Sequence, residues 1–307
     1  MDWYLVLGGA IVGTVVGLTG MGGGALMTPM LVIFFGVDPV TAVSSDLVVS
    51  LVMKPFGAGV HAKEGTVNYG LVKWLCIGSV PAAFLGSWLI DVFGGKDVSD
   101  SVKVYLGIAL LVAAASMVVR HQINRRRGMH VPVGGAQHDL VIRPVPTVAI
   151  GVVGGLIVGM TSVGSGSLII VLLLLLYPTL AAGQLVGTDL VQAVPLIASA
   201  ALGHYFFGDI KLPLAGALML GAIPGVIFGA RISSKAPDHI IRPILVVVLV
   251  ASGAKLLEVP NEVLLGFFGL AAVVLGVAWT IRARRAPAGD AAEPGAPEAH
   301  EELLADL

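Results

Sequence analysis

The stretch GLTGMGGGALMT, residues 17–28, interrupts a long apolar segment near the start of the chain. A second stretch, GMTSVGSGSLII at residues 159–170, interrupts another apolar segment near the middle. Shifting the first stretch by 142 residues places three of its glycines, its first threonine and one leucine on identical residues of the second. The chain therefore contains an internal repeat, and each half begins with a glycine-rich break.

Composition limits the class of protein. Of the 307 residues, 56% are hydrophobic and 12% are charged, and the mean hydropathy is +0.95. A soluble protein this apolar could not cover its surface with polar groups, so a soluble enzyme is excluded. The composition predicts an all-α, polytopic membrane protein.

Apolar runs define the predicted helices. A bilayer core of about 30 Å requires about 20 helical residues, and none of the four pieces beside the breaks is that long. Each broken segment is therefore either one long interrupted helix or a pair of short helices that returns. The predicted runs are 3–18, 24–36, 40–60, 69–93, 102–119, 146–160, 167–177, 182–207, 212–232, 240–257 and 262–281.

Loop charges predict the topology. The connection 120–143 contains five arginines and one acid, and three arginines follow the last run, so both should be cytoplasmic. Counting crossings between them makes the second broken segment, 146–177, a re-entrant hairpin, and if segment 3–36 is also a hairpin the N-terminus lies outside. Equivalent helices of the two halves then run in opposite directions, which is an inverted-topology repeat. A shift of 143 residues also aligns Asp46 with Asp189 and His61 with His204, although chance matches among glycine-rich helices are the alternative.

These observations divide the chain into five parts. The predicted parts are membrane repeat 1 at 1–120, a basic cytoplasmic linker at 121–145, membrane repeat 2 at 146–257, an additional C-terminal transmembrane helix at 258–285 and a disordered acidic tail at 286–307.

The breaks themselves predict a binding site. Non-helical backbone at membrane depth is tolerated only inside protein or beside a water-filled cavity. Each helix that restarts after a break presents backbone N–H groups and the positive end of its dipole, and two such ends would hold an anion. Close packing through small residues is the alternative. The predicted substrate contacts here are Thr19, Gly22, Gly23, Gly24, Thr161, Gly164, Ser165 and Gly166.

A second set of polar residues lies on the run 40–60. Asp46, Ser50 and Lys54 are spaced four residues apart and so share one helical face. A lysine is costly in lipid, so this face should point inward, with Lys54 contacting an anionic substrate. In the second half, Asp189 and Gln192 occupy the related region. Pairing with Lys54, helix capping or a structural hydrogen bond are alternative roles for the aspartates.

Other chemistry is weakly indicated. His61 and His204 are candidates for proton coupling, and an interfacial histidine bonded to a carbonyl is the alternative. The chain has one cysteine and lacks the P-loop, metalloprotease and nucleophile-elbow patterns. No catalytic residue, metal or cofactor is therefore expected.

The chain resembles the TauE/SafE family of sulfite and organosulfonate exporters. The resemblance lies in GLTGMGGGALMTPML and TAVSSDL of the first half, the arginine-rich middle loop, and GMTSVGSGSLII with LVGTDL of the second half. It covers roughly 1–257 and implies a multi-pass protein of the bacterial inner membrane that moves small sulfur oxyanions, usually outward.

Together these features favour a secondary transporter of a small anion such as sulfite or sulfoacetate. Substrate would bind at the midplane between the breaks, with alternating access. An anion channel, a transporter of another anion such as thiosulfate, and a membrane scaffold without transport remain alternatives. The expected partners are the small anion and the lipid bilayer, with no nucleic acid and with a homodimer left open.

Overall fold

The computed structural model describes residues 3–19, 23–63, 65–94, 98–126, 140–180, 182–233, 238–260, 262–263 and 266. Within these ranges the regular elements are α-helices, and all of them belong to one compact unit, residues 1–264. They are α1 (Trp3–Thr19), α2 (Gly24–Phe34), α3 (Pro39–Lys63), α4 (Tyr69–Gly94), α5 (Val98–Arg126), α6 (Pro144–Thr161), α7 (Leu168–Leu176), α8 (Ala182–Phe207), α9 (Leu212–Ser233) and α10 (Asp238–Leu256).

Several of these helices are suited to a bilayer. Among the described residues, six are long and apolar enough to cross a membrane: α3, α4, α5, α6, α8 and α9. The predicted all-α, polytopic membrane fold is confirmed. Most of the predicted C-terminal helix at 258–285, most of the basic linker and all of the acidic tail lie outside the described residues.

Both predicted breaks separate two helices. α1 ends at Thr19 and α2 begins at Gly24. In the second half, α6 ends where Ser162 adopts a left-handed conformation, with its N–H donating to the Val158 carbonyl at 2.7 Å. α7 begins only at Leu168, so residues 162–167 form a connecting loop without helical structure.

The two ends of the second broken segment lie side by side. The backbone N–H of Arg143, just before α6, donates to the phenol oxygen of Tyr177, just after α7, at 2.9 Å. Thr147 Oγ1 lies 2.6 Å from the same oxygen. In the first segment, a Cβ on Gly8 of α1 would lie 2.9 Å from Met30 Sδ of α2. Both segments therefore fold back as hairpins.

Removing the Tyr177 hydroxyl should loosen the second hairpin. Tyr177 is buried, and Tyr177→Phe leaves the Arg143 N–H without this acceptor. The free energy of unfolding should fall by about 1 kcal/mol, as is typical for a lost hydrogen bond. Unfolding of the purified protein by denaturant in detergent measures this loss. Tyr205→Phe is the control because Tyr205 is exposed, and an equal loss there would contradict the proposed role of Tyr177.

Glycines lie where the hairpins pack against other helices. α1 packs along α9, where a Cβ on Gly9 would lie 2.6 Å from the Leu218 carbonyl oxygen. α6 packs along α4, where a Cβ on Gly151 would lie 3.0 Å from the Ser79 nitrogen. Side chains larger than hydrogen would force these backbones apart, so glycine permits the close contact.

Equivalent helices of the two halves make equivalent contacts. Shifting α3 by 143 residues gives 182–206, and α8 spans Ala182–Phe207. The first helix of each half packs on the fourth element of the other half, as α1 on α9 and α6 on α4. α3 and α8 pack on each other, and buried residues of α3 belong to both of the apolar clusters that form the core.

Candidate functional site

The two breaks meet inside the protein. A Cβ on Gly24, the first residue of α2, would overlap the backbone carbonyl of Ser162 in the connecting loop. The loop has positive φ angles at Ser162 (59°), Gly164 (124°) and Gly166 (91°). Glycine tolerates such angles and permits close backbone approach, so the glycine-rich sequence allows the two breaks to touch.

Asp46 of α3 binds donors from both hairpins. Thr28 Oγ1 of α2 donates to Asp46 Oδ2 at 3.1 Å, and Ser162 Oγ donates to the same oxygen at 2.6 Å. The side chain is fully buried. Its other oxygen, Oδ1, makes no hydrogen bond of normal geometry among the described residues, although the Ser50 hydroxyl on the same helix face also stabilises this carboxylate. A Cβ on Gly23 would lie 3.7 Å from that oxygen and 3.5 Å from Ser50 Oγ, so the free oxygen faces the first break.

Lys54 lies two helical turns further along α3. Its Nζ donates to Ser165 Oγ of the connecting loop. The residue is 7% exposed, and its charge interacts with the carboxyls of both Asp189 and Asp46. A buried ammonium requires such compensation because desolvation of an isolated charge is unfavourable.

Asp189 of α8 is bound by the same loop. The backbone N–H of Gly166 donates to its carboxyl, and Lys54 and Arg120 of α5 contribute favourable charge. Asp189 is buried, and its Oδ1 has no hydrogen-bond partner in the part of the chain that the structure describes. Each aspartate thus accepts from a donor of a break and keeps one buried oxygen, Oδ1, without a hydrogen bond of normal geometry in the described part of the chain.

Three residues of the connecting loop contact three charged side chains, in the order in which the loop residues follow along the chain. Ser162 binds Asp46, Ser165 binds Lys54 and Gly166 binds Asp189.

The backbone N–H groups at the start of α7 are less available to a ligand than the sequence predicts. The Gly164 carbonyl accepts from the N–H groups of Ser167, Leu168 and Ile169 at 3.4, 3.0 and 3.4 Å. The donors of the second break are therefore already bound by groups of the protein itself.

The other predicted contacts have more local partners. Gln192 Nε2 donates to Ser79 Oγ of α4 at 2.6 Å, and Gln192 Oε1 has no partner among the described residues. Thr161 Oγ1 donates to the Ile157 carbonyl at 2.6 Å and accepts from the Val163 N–H of the connecting loop at 3.2 Å, so this hydroxyl is bound locally. The side chain of Thr19 and all of Gly22 lie outside the described residues, so their predicted roles remain predictions.

The two histidines bond to neighbours other than the buried charges. His204 Nε2 donates to the Gly159 carbonyl at 2.8 Å, and His204 Nδ1 lies 2.8 Å from Ser44 Oγ. His61 Nδ1 lies 2.9 Å from Thr66 Oγ1. The bond from His204 to a carbonyl matches the alternative that the sequence left open, although this histidine is buried.

Some residues of the site were not predicted. Thr28 lies at the end of the first glycine-rich stretch, and its hydroxyl in an apolar helix was the available signal. Arg120 is predicted only as a loop charge, yet it acts on Asp189. Ser79 resembles any small residue of a packed helix, so nothing in the sequence indicated its bond to Gln192.

Comparison with known proteins gives a consistent result. The family model "Sulfite exporter TauE/SafE" matches residues 5–256. "Probable membrane transporter protein YjnA" of Bacillus subtilis is 37% identical over 259 residues, which cover 84% of this chain and 100% of that protein. "Probable membrane transporter protein YunE" of the same organism is 27% identical over 269 residues, with 82% and 96% covered.

The similarity extends beyond one organism. A Methanocaldococcus jannaschii protein, also named a probable membrane transporter protein, is 25% identical over 249 residues, with 77% of this chain and 88% of that protein covered. No solved structure matches the chain. Because the family model covers most of the chain and the relatives match over nearly their full lengths, the chain belongs to the sulfite exporter TauE/SafE family of membrane proteins.

Proposed function

We propose that the chain is a secondary transporter of a small sulfur-containing anion such as sulfite or sulfoacetate, acting as an exporter in the bacterial inner membrane. The observation that carries this proposal is the contact between the two breaks beside a buried lysine. Lys54 supplies a positive charge, and hydroxyls and amides of the breaks supply directed donors. Substrate binds between the breaks.

The size of the site favours a small substrate. The first residue of α2 already touches the connecting loop, and Asp46 bridges the two hairpins. An anion of a few heavy atoms can exchange places with the carboxyl contacts, whereas a large one would have to separate the hairpins. Sulfite and short sulfonates have compact, charged oxygen clusters that suit hydroxyl and N–H donors.

Alternating access follows from an inverted repeat. The matched ranges of α3 and α8, and the exchanged packing of α1 on α9 and α6 on α4, support such a repeat. In transporters built this way, one repeat rocks against the other around a fixed midplane site. Asp46 and the connecting loop belong to different halves, so this contact would change during the rocking.

Ligand binding tests the proposal first. Sulfite, sulfoacetate, thiosulfate, sulfate and formate would be added to purified protein during thermal unfolding. A ligand at a hundredfold excess over its Kd should stabilise the folded form by about 2.7 kcal/mol. In proteoliposomes the stabilising anion should show saturable flux and counterflow. Unitary current steps would indicate a channel instead, and flux equal to that of empty liposomes would contradict transport.

Thiol labelling tests the location of the site. Cys76 would first be replaced by alanine, because it is the only native cysteine. Substrate should slow labelling of Ser165→Cys, whose side chain contacts Lys54. Gly59→Cys is the control because a Cβ there meets nothing within 4 Å. Equal protection at both positions, or at neither, would contradict a site between the breaks.

A further inference from the structure

We propose that the anion binds together with protons on Asp46 and Asp189, one proton for each negative charge, and that anion and proton cross the membrane in the same direction. This inference rests on the proposed anion transport. It identifies the coupling ion, and it assigns the coupling to the two buried carboxyls and not to His61 or His204.

The first step is competition for donors. The Ser162 hydroxyl and the Gly166 N–H are the directed donors of the second break, and both are bound to aspartate carboxyls. These carboxyls therefore occupy the position that a substrate anion would need. Protonation converts a carboxylate into a much weaker acceptor, which releases the donor bound to that carboxyl for the substrate.

The second step is charge balance. The charged groups that act on the two aspartates are Lys54 of α3 and Arg120 of α5. The packed helices α2, α6 and α7 contain no acidic or basic residue, and those of the packed helices α4 and α9 (Lys73, Asp91 and Arg231) lie within the first or last turns of their helices. Among the described residues Lys54 acts on both carboxyls and Arg120 acts weakly on Asp189 alone, so the positive charge does not exceed the two carboxylates and an added anion leaves uncompensated negative charge in a buried site. Such a charge is strongly disfavoured, and a proton from solvent removes it.

The third step is a place for each proton. Asp46 Oδ1 and Asp189 Oδ1 are buried and make no hydrogen bond of normal geometry among the described residues, and near Asp46 the neighbouring group is the Ser50 hydroxyl, which can accept from a protonated carboxyl. Protonation there adds a donor where no positive partner is displaced. The histidines are less suitable, because His204 already donates from Nε2 to the Gly159 carbonyl and His61 Nδ1 contacts Thr66.

This coupling has a consequence for direction. Anion and proton cross together without net charge movement, so the membrane potential does not drive the step. An inward proton gradient then opposes export, so the proposed export proceeds only when the ratio of cytoplasmic to external anion exceeds the ratio of external to cytoplasmic protons. Coupled movement in the same direction distinguishes this scheme from exchange of an anion for a proton.

Proton uptake on binding tests the proposal. Methanesulfonate is a suitable probe because it remains a monoanion across the pH range used, unlike sulfite. Binding to the full-length wild-type protein in weakly buffered detergent should take up about one proton per anion, read with a pH indicator. At pH values where both carboxyls are ionised, the apparent Kd should rise about tenfold per pH unit, because binding then requires a proton from solvent.

Asparagine variants provide the matched comparison. Asp46→Asn with Asp189→Asn imitates the protonated pair, so binding should take up no proton and the Kd should not change with pH. Thermal unfolding checks that this variant is folded, and His204→Gln should retain the wild-type pH profile. Wild-type binding without proton uptake would overturn the proton coupling while leaving anion transport intact, as would flux that requires Na⁺ at fixed pH. If neither wild type at acid pH nor the double variant binds methanesulfonate or sulfoacetate, the proposed function itself fails.

Discussion

Lys54→Met should reduce anion flux in proteoliposomes by about a hundredfold or more, while Lys63→Met leaves it unchanged. Lys54 is buried between two carboxyls and the connecting loop, whereas Lys63 is exposed at the end of the same helix. Removing one partner of a buried ionic group costs about 3–5 kcal/mol. Methionine keeps the length of the side chain, so the loss reports on charge and not on volume.

Loss of folding must be separated from loss of transport in this experiment. Lys54→Met leaves Asp46 and Asp189 without their nearby positive charge, which should lower the thermal stability. Adding Asp189→Asn removes one carboxylate and should restore stability, but it does not restore the positive charge. The double variant should therefore be folded and inactive. Wild-type rate and affinity in folded Lys54→Met would remove this lysine from the substrate site.

The fold was predictable because apolar runs, glycine-rich breaks and loop charges can be read directly from the sequence. The run 182–207 coincides with α8, and 69–93 differs from α4 by one residue. The breaks were visible because glycine and hydroxyl residues are rare within such apolar segments. Loop charges predicted hairpins, and the contact between Arg143 and Tyr177 brings the ends of one hairpin together.

The partners of the site residues were not predictable in the same way. Helical spacing placed Asp46, Ser50 and Lys54 on one face, and the structure buries that face. Spacing does not say which element lies opposite, however. The hydrogen bonds of Asp46 come from Thr28 and Ser162 on two other elements, which only the packing of the hairpins reveals.

The same limit applies to the backbone of the breaks. The sequence predicted that the helix after the second break would present free amides. The three-dimensional path of the loop instead brings the Gly164 carbonyl onto the first amides of α7 and the Gly166 amide onto Asp189. Which amides are free depends on φ angles of individual glycines, and glycine-rich sequence leaves those angles undetermined.

Gly24→Ala should destabilise the protein and abolish transport, although alanine is the better helix former by about 1 kcal/mol. Gly24 is the first residue of α2, and a Cβ there would overlap the Ser162 carbonyl. The neighbouring group is backbone, which cannot move aside as a flexible side chain can, so the two breaks must separate. Separation would also pull Ser162 away from Asp46.

Gly216→Ala is the matched control for this prediction. Gly216 lies within α9, and a Cβ there meets nothing within 4 Å, so alanine should raise or preserve the unfolding temperature and leave transport unchanged. The opposite signs expected at the two glycines distinguish contact between the breaks from general helix propensity. If Gly24→Ala unfolds no earlier than Gly216→Ala and carries the anion at the wild-type rate, then contact between the breaks is not required for transport, and a substrate site between them loses its main support.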